Sequence, residues 1–267
     1  MKLPPDSSRG ARLRRNSLKA KLRSQKCVIG TFLEITSPVV VEELGLAGFD
    51  FVVVDREHGA IDLKETGELI RAGDSTDISV MVRVPSSEPT EISLPLDLGA
   101  AGLHVPKIVS AAMARQVVRL SKYHPSGERG VQPYVRAASY GAQGTAKYLA
   151  SANDDIVMVG HIEGKEALAD LDAILNVEGL DVAFLGPYDL SQSLGIPGQV
   201  KHPRVEKAMK KAIERARKLG KSIGSYCDDV ARAIEYRDLG VSYITISADS
   251  VFLLSAAQSV VSQLKSS

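Results

Sequence analysis

The sequence predicts an α/β protein folded as a single (β/α)8, or TIM, barrel, and three observations carry that prediction. Eight short runs of β-branched and apolar residues recur along the chain, segments of helical periodicity separate them, and glycines close several of these segments just before the next run. The 267 residues, 44% of them hydrophobic, supply a core large enough for one barrel. No composition shift marks a second domain, and no GxGxxG follows the first run, which disfavours an open dinucleotide-binding sheet.

The chain opens on a basic segment, with Arg9, Arg12, Arg14, Arg15, Lys19, Lys21, Arg23 and Lys26 against the single acid Asp6. Residues 1–15 read as a basic flexible tail and 16–267 as the barrel domain; a transit peptide or anion-binding arm is the alternative for the tail. Leu13, Leu18 and Leu22 stand near helical spacing, with Asn16 or Ser17 as a cap. The eight strand-like runs are Val28 to Leu33, Phe51 to Val54, Ser79 to Val84, Gly102 to Val105, Ile156 to Ile162, Val182 to Leu185, Ser222 to Ser225 and Tyr243 to Ile246. Each reads as a strand buried on both faces. Helical periodicity runs through Pro38 to Leu46, Leu63 to Ala72, Ala111 to Leu120, Val205 to Leu219 and Asp229 to Leu239, and Gly48, Gly99, Gly220 and Gly240 are expected C-cap residues. The stretch Tyr123 to Tyr148, rich in Gly and Pro, breaks this rhythm; it reads as a functional lid or, alternatively, as a cover for the barrel bottom or a subunit contact.

Thirty-three Lys plus Arg against 32 Asp plus Glu leave a formal charge of +1, so no nucleic-acid or membrane partner is expected and a small soluble substrate fits better. Two distant cysteines, Cys27 and Cys227, with no CxxC pair exclude a disulfide scaffold or zinc knuckle. No apolar stretch is long enough for a membrane span, and a cytoplasmic location is expected.

Barrel chemistry sits where strands end, and the residues just past these runs are polar. They are Asp55-Arg56-Glu57-His58-Gly59, Arg83, Pro106-Lys107, His161-Ile162-Glu163, Gly186-Pro187-Tyr188-Asp189 and Tyr226-Cys227-Asp228. Glu163 and Asp189 supply hard oxygen ligands for a divalent ion with open positions, Mg2+, Mn2+ or Co2+, which would polarise a 2-oxo acid; surface carboxylates are the alternative. His58 and Asp55 suggest a base dyad in which the carboxylate orients the imidazole, against a purely structural histidine. Arg83 offers a fork for an oxyanion, against an internal salt bridge to Asp55 or Glu57.

At these residues the sequence resembles the HpcH/HpaI aldolases, class II pyruvate-type enzymes that include hydroxy-oxoheptanedioate and dehydro-deoxyglucarate aldolases. The resemblance runs from about Asn16 to the C-terminus and rests on Ala47-Gly48-Phe49-Asp50, Asp55 to His58, Gly127 to Val131, and Gly186-Pro187-Tyr188-Asp189-Leu190-Ser191. It implies a barrel of the phosphoenolpyruvate/pyruvate-domain type, Glu163 and Asp189 as metal ligands, Arg83 on the keto oxygen, and His58 with Asp55 as the base. It also implies backbone amides of Tyr188 and Asp189 on the substrate carboxylate, and a last helix, over Asp249 to Leu264, exchanged between subunits of a dimer or a hexamer of dimers. The substrates so implied are pyruvate or oxaloacetate and an aldehyde, joined or parted as a 4-hydroxy-2-oxo acid.

Four positions depart from the family's pattern: Arg56 replaces a small residue, Lys107 follows Pro106, His161 stands where Gln is expected, and Tyr226 where an aliphatic is expected. Lys107, His161 and Tyr226, with Arg83, Gly186, Pro187, Tyr188 and Asp189, make the expected substrate-binding mouth, Arg56 is expected near it, and the departures suggest a different aldehyde half. Competing readings are oxaloacetate decarboxylation or enolate trapping, a citrate-lyase-like acyl-thioester lyase, a Schiff-base aldolase using Lys107, and a non-catalytic ligand-binding barrel.

Overall fold

The computed structural model describes residues 17–266; the expected basic tail, with Leu13 and Asn16, lies outside the described residues. Eight strands, β1 (Val28–Leu33), β2 (Phe51–Asp55), β3 (Ser79–Arg83), β4 (Gly102–Val105), β5 (Val157–Ile162), β6 (Val182–Leu185), β7 (Ile223–Cys227) and β8 (Tyr243–Ala248), close a barrel in sequence order. Every pairing is parallel, from β1 with β2 round to β8 with β1. The helices are α1 (Ser17–Arg23), α2 (Pro38–Leu46), α3 (Leu63–Gly73), α4 (Pro89–Asp97), α5 (Ala111–Ser121), α6 (Thr145–Asp155), α7 (Lys165–Ala169), α8 (Leu171–Leu175), α9 (Pro187–Ser193), α10 (Pro203–Lys218), α11 (Val230–Leu239) and α12 (Asp249–Lys265). Gly240 caps α11 at φ 108°, and Gly48, Gly99 and Gly220 also stand at positive φ, as their places after helical segments lead one to expect.

Strand alternation sorts the core into two layers. Val52, Val54, Val80, Val82, Leu103 and Val105 point outward and pack on the helices. Phe51, Val53, Met81, Val157, Val159, Val182, Phe184 and Tyr243 point inward and fill the barrel. The same parity, carried to the strand ends, turns Asp55, Arg83, His161, Glu163 and Tyr226 into the mouth. Arg56, one residue out of phase, turns away and pairs with Glu91 of α4 at 2.9 Å, so it does not line the mouth as expected.

At the opposite end, α1 plugs the barrel with buried Leu18 and Leu22, and its Lys19 reaches the carbonyl of Ile156 and the carboxylate of Asp181. The irregular stretch from Tyr123 to Tyr148 also lies here, between α5 and α6. Arg129 holds Asp97 at the end of α4, and Arg136 holds Asp74 and the carbonyl of Leu98. Of the readings offered for this stretch, the cover for the barrel bottom is the one found, because an α-to-β connection returns the chain to the N-terminal ends of the strands.

Lys122 is buried beside Lys19 at this end, and burial first, then the Lys19 charge, lowers its pKa from 10.5 to about 7. Between those values the unfolded chain binds a proton that the folded chain lacks, so this lysine makes stability rise as pH climbs from about 7 to 10.5. Calorimetric melting at pH 7.5 and 9.5 should show that Lys122→Met gains less stability on alkalinisation than the wild type. An unchanged gain would contradict this placement.

Candidate active site at the barrel mouth

Asp55 ends β2, and Arg83 lies beside it at the end of β3, in register with it. Their side chains form a forked pair, with Arg83 Nε 2.8 Å from Asp55 Oδ1 and Nη2 2.5 Å from Oδ2. Burial alone would raise the Asp55 carboxyl, but the Arg83 guanidinium and the amides of His58 and Glu57 bring it below its ordinary value. The internal salt bridge anticipated as the alternative for Arg83 is therefore present. Its guanidinium also lies over the Phe32 ring at 4.7 Å, with Nη1 3.5 Å from Glu57. Donors on Nη1 and Nη2 remain free to turn to a substrate oxygen.

The dyad looks different from its sequence expectation. Asp55 Oδ1 accepts the backbone N–H of His58 at 3.2 Å and of Glu57 at 3.0 Å, while the His58 ring is exposed and lines the cavity. Three residues in a tight turn bring the amide, not the imidazole, over the carboxylate. Asp55 thus fixes the turn that carries His58 and holds Arg83.

Glu163 follows β5 and is buried. Its Oε1 accepts from His161 Nδ1 at 2.8 Å, and its Oε2 accepts the backbone N–H of Lys107 at 3.0 Å. Lys107 adopts φ 56°, a left-handed conformation uncommon outside glycine, which turns that amide onto the carboxylate. Burial acts to raise the Glu163 carboxyl, but the His161 and Lys107 bonds and the Arg83 charge lower it on balance. Asp189, in the first turn of α9, has no hydrogen-bond or ion-pair partner for its carboxylate among the described residues; burial and then the charges of Glu163 and Glu57 raise its pKa. The two carboxylates move in opposite directions because Glu163 has donors and Asp189 faces the charge of Glu163.

The Lys107 ammonium is 71% exposed and pairs with Glu57 at 3.1 Å, which raises its pKa. A Schiff-base nucleophile needs the reverse, a lysine whose burial favours the free amine. Tyr188 donates its hydroxyl to Asp228 at 2.7 Å and meets the Tyr226 ring edge-on at 6.0 Å. With Gly186, Pro187, His161 and Phe184 they line an open cavity of about 390 Å3 that also contains His58, Asp55, Arg83, Glu163 and Asp189. Glu57 was missed as a site residue, although it shares the polar strand-end segment with Asp55. Phe32, Glu34 and Ser247 also line the cavity and are not among the expected site residues; Phe32 lies inside the apolar run of β1, where a substrate-facing ring is indistinguishable from core.

The donor set fits a divalent cation. A β-carbon built at Gly186 would lie 3.4 Å from Glu163 Oε1 and 3.6 Å from Asp189 Oδ2, so the two oxygens flank one small space that glycine leaves open. Two carboxylates repelling each other across that space are what a hard cation neutralises. No cluster of three or more His, Cys, Asp or Glu is arranged for a metal among the described residues, so any ion held here draws its further ligands from substrate and water.

Comparisons with known proteins show the family to which the chain belongs. Residues 28–256 match the model of the HpcH/HpaI aldolase/citrate lyase family. The chain is 35% identical to a hydroxypyruvate/pyruvate aldolase of Paraburkholderia phytofirmans, covering 94% of this chain and 98% of that one. It is 34% identical to a 5-keto-4-deoxy-D-glucarate aldolase of Shigella boydii, over 94% and 96% of the two chains. A crystal structure of a family protein from Burkholderia cenocepacia superposes with a TM-score of 0.89 at 33% identity, covering 94% and 99%. The chain belongs to the HpcH/HpaI aldolase/citrate lyase family, and with it to the carbon–carbon lyases.

Proposed function

We propose that the protein is a divalent-metal-dependent class II aldolase that cleaves or forms 4-hydroxy-2-oxo acids from pyruvate and an aldehyde. The observation that carries this reading is the pair of carboxylates, Glu163 and Asp189, flanking Gly186 in the cavity that also holds Arg83 and His58. These two residues would hold Mg2+, Mn2+ or Co2+. When bound, the ion supplies Lewis acidity toward the 2-oxo group.

The chain's own residues supply the rest. Tyr188 and Asp189 stand in the first turn of α9, where backbone N–H groups have no intrahelical acceptor, and suit a substrate carboxylate. Arg83, fixed by Asp55, donates to the keto oxygen as negative charge gathers there. The exposed His58 ring takes the 4-hydroxyl proton through a water, the C3–C4 bond breaks, and its electrons become the pyruvate enolate; condensation reverses the path. His161 and Lys107 steady Glu163, while Tyr226 and the Tyr188 ring face the aldehyde half.

Exchange of the pyruvate methyl hydrogens for deuterium tests this directly. Exchange with Mn2+ that stops with EDTA and in Glu163→Gln is expected. Chelator-insensitive exchange would point to a lysine route instead, and no exchange with any metal to an inert barrel.

The exposed apolar side chains of α12, among them Val251, Leu253, Leu254, Val260, Val261 and Leu264, support a helix exchanged between subunits. A dimer, or a hexamer of dimers, should appear by light scattering, and Leu253→Glu with Leu254→Glu should dissociate it; a monomeric wild type contradicts this. No helix among the described residues is long and apolar enough to cross a membrane, and the free Cys27 and Cys227 suit the reducing cytoplasm.

A further inference from the structure

Two buried side chains that take no part in the chemistry above, Tyr243 and His104, form a row inside the barrel with His161. The Tyr243 hydroxyl lies 2.7 Å from His104 Nε2, and His104 Nδ1 lies 2.9 Å from His161 Nε2. His161 Nδ1 completes the row at 2.8 Å from Glu163 Oε1. Tyr243 and His104 are fully buried and His161 is 1% exposed. Stacking of Tyr243 on Phe51 and of His161 on Phe184 holds the rings in place.

The direction of these hydrogen bonds follows from counting donors. An ionised Glu163 only accepts, so His161 Nδ1 carries a hydrogen. If His161 Nε2 also carried one, His104 would have to donate from Nε2 to the Tyr243 oxygen. The phenolic hydrogen would then be orphaned, since His104 is the partner of that hydroxyl among the described residues. In the other arrangement each ring carries its hydrogen on Nδ1, Tyr243 donates to His104 Nε2, and every donor is used. An unused acceptor lone pair costs less than a buried orphan donor. Burial, with the neighbouring Arg83 charge, also keeps the His104 ring neutral.

We propose that Tyr243, His104 and His161 form a one-directional chain of donors that positions Glu163 for cation binding, with Tyr243 as its anchor. This rests on reading Glu163 as a metal ligand. His161 fixes Oε1 and the Lys107 amide fixes Oε2, so the carboxylate cannot rotate. Without the phenol, the His104 Nε2 lone pair has no donor and the ring loses the bond that fixes its orientation. A ring free to turn no longer keeps its Nδ1–H on His161 Nε2, and His161 in turn holds Glu163 less firmly. The chain positions rather than conducts, because its Tyr243 end is closed.

The test uses Tyr243→Phe, which removes one oxygen and keeps the ring. In 15N-histidine spectra of the wild type, His104 and His161 should each carry hydrogen on Nδ1 alone, and in the variant both ring signals should shift and broaden as the row loses its fixed orientation. Mn2+ affinity by calorimetry should fall about tenfold, the range for partners that orient metal ligands. Unchanged affinity in a folded Tyr243→Phe, or a hydrogen on His161 Nε2 in the wild type, overturns the proposal. Should the variant not fold, the wild-type spectrum decides alone. A wild type that binds no Mn2+ while showing the expected tautomers overturns the ligand reading of Glu163 instead, a distinct result.

Discussion

Replacing Arg83 by alanine should lower kcat by two to three orders of magnitude, about 3–4 kcal/mol, and destabilise the fold at the same time. The first effect follows from the proposed mechanism, in which Arg83 donates to the developing enolate oxygen. The second follows from the forked pair, because Asp55 is 2% exposed and would keep its charge without a counterion. Breaking a buried pair from one side costs about 3–5 kcal/mol. Arg83→Lys separates the two effects: a lysine restores charge beside Asp55 but has no fork to serve both the carboxylate and a substrate oxygen. Its melting temperature should recover most of the loss while kcat stays low. Equal recovery of both would contradict a substrate role for Arg83.

Asp189→Asn should have the opposite stability signature. The Asp189 carboxylate has no hydrogen-bond or ion-pair partner among the described residues and faces the charge of Glu163, so neutralising it relieves repulsion and should raise the melting temperature of the metal-free protein by on the order of 2 °C. Activity should nevertheless fall by about three orders of magnitude, the scale of a lost Lewis acid. Glu163→Gln should lose as much activity without that stability gain, since Glu163 already has donors on both oxygens. A destabilised Asp189→Asn would mean that its carboxylate is structurally anchored.

The barrel was legible because a strand buried on both faces is a nearly unbroken apolar run, and the observed strand ends fall within two residues of those expected. Helix α4 was not legible, since Pro95 interrupts its pattern; α6 begins inside the Gly- and Pro-rich stretch, and α7 to α9 are no longer than 7 residues each. In the mouth, period-two alternation from Phe51 and Met81 carries Asp55 and Arg83 inward, which is why the strand-end residues converge. What alternation does not encode is who bonds to whom. Asp55 met Arg83 and the His58 amide rather than the imidazole. The partnership of His104 with Tyr243 joins strands 139 residues apart, through a polar residue in the apolar run Gly102 to Val105.

Calorimetric titration of Mn2+ into the wild type, Glu163→Gln and Asp189→Asn tests the central claim most directly. Shared ligation predicts one ion per chain in the wild type and little or no binding in either variant. Retention of the wild-type affinity and stoichiometry by either one would show that the two carboxylates do not hold a common cation.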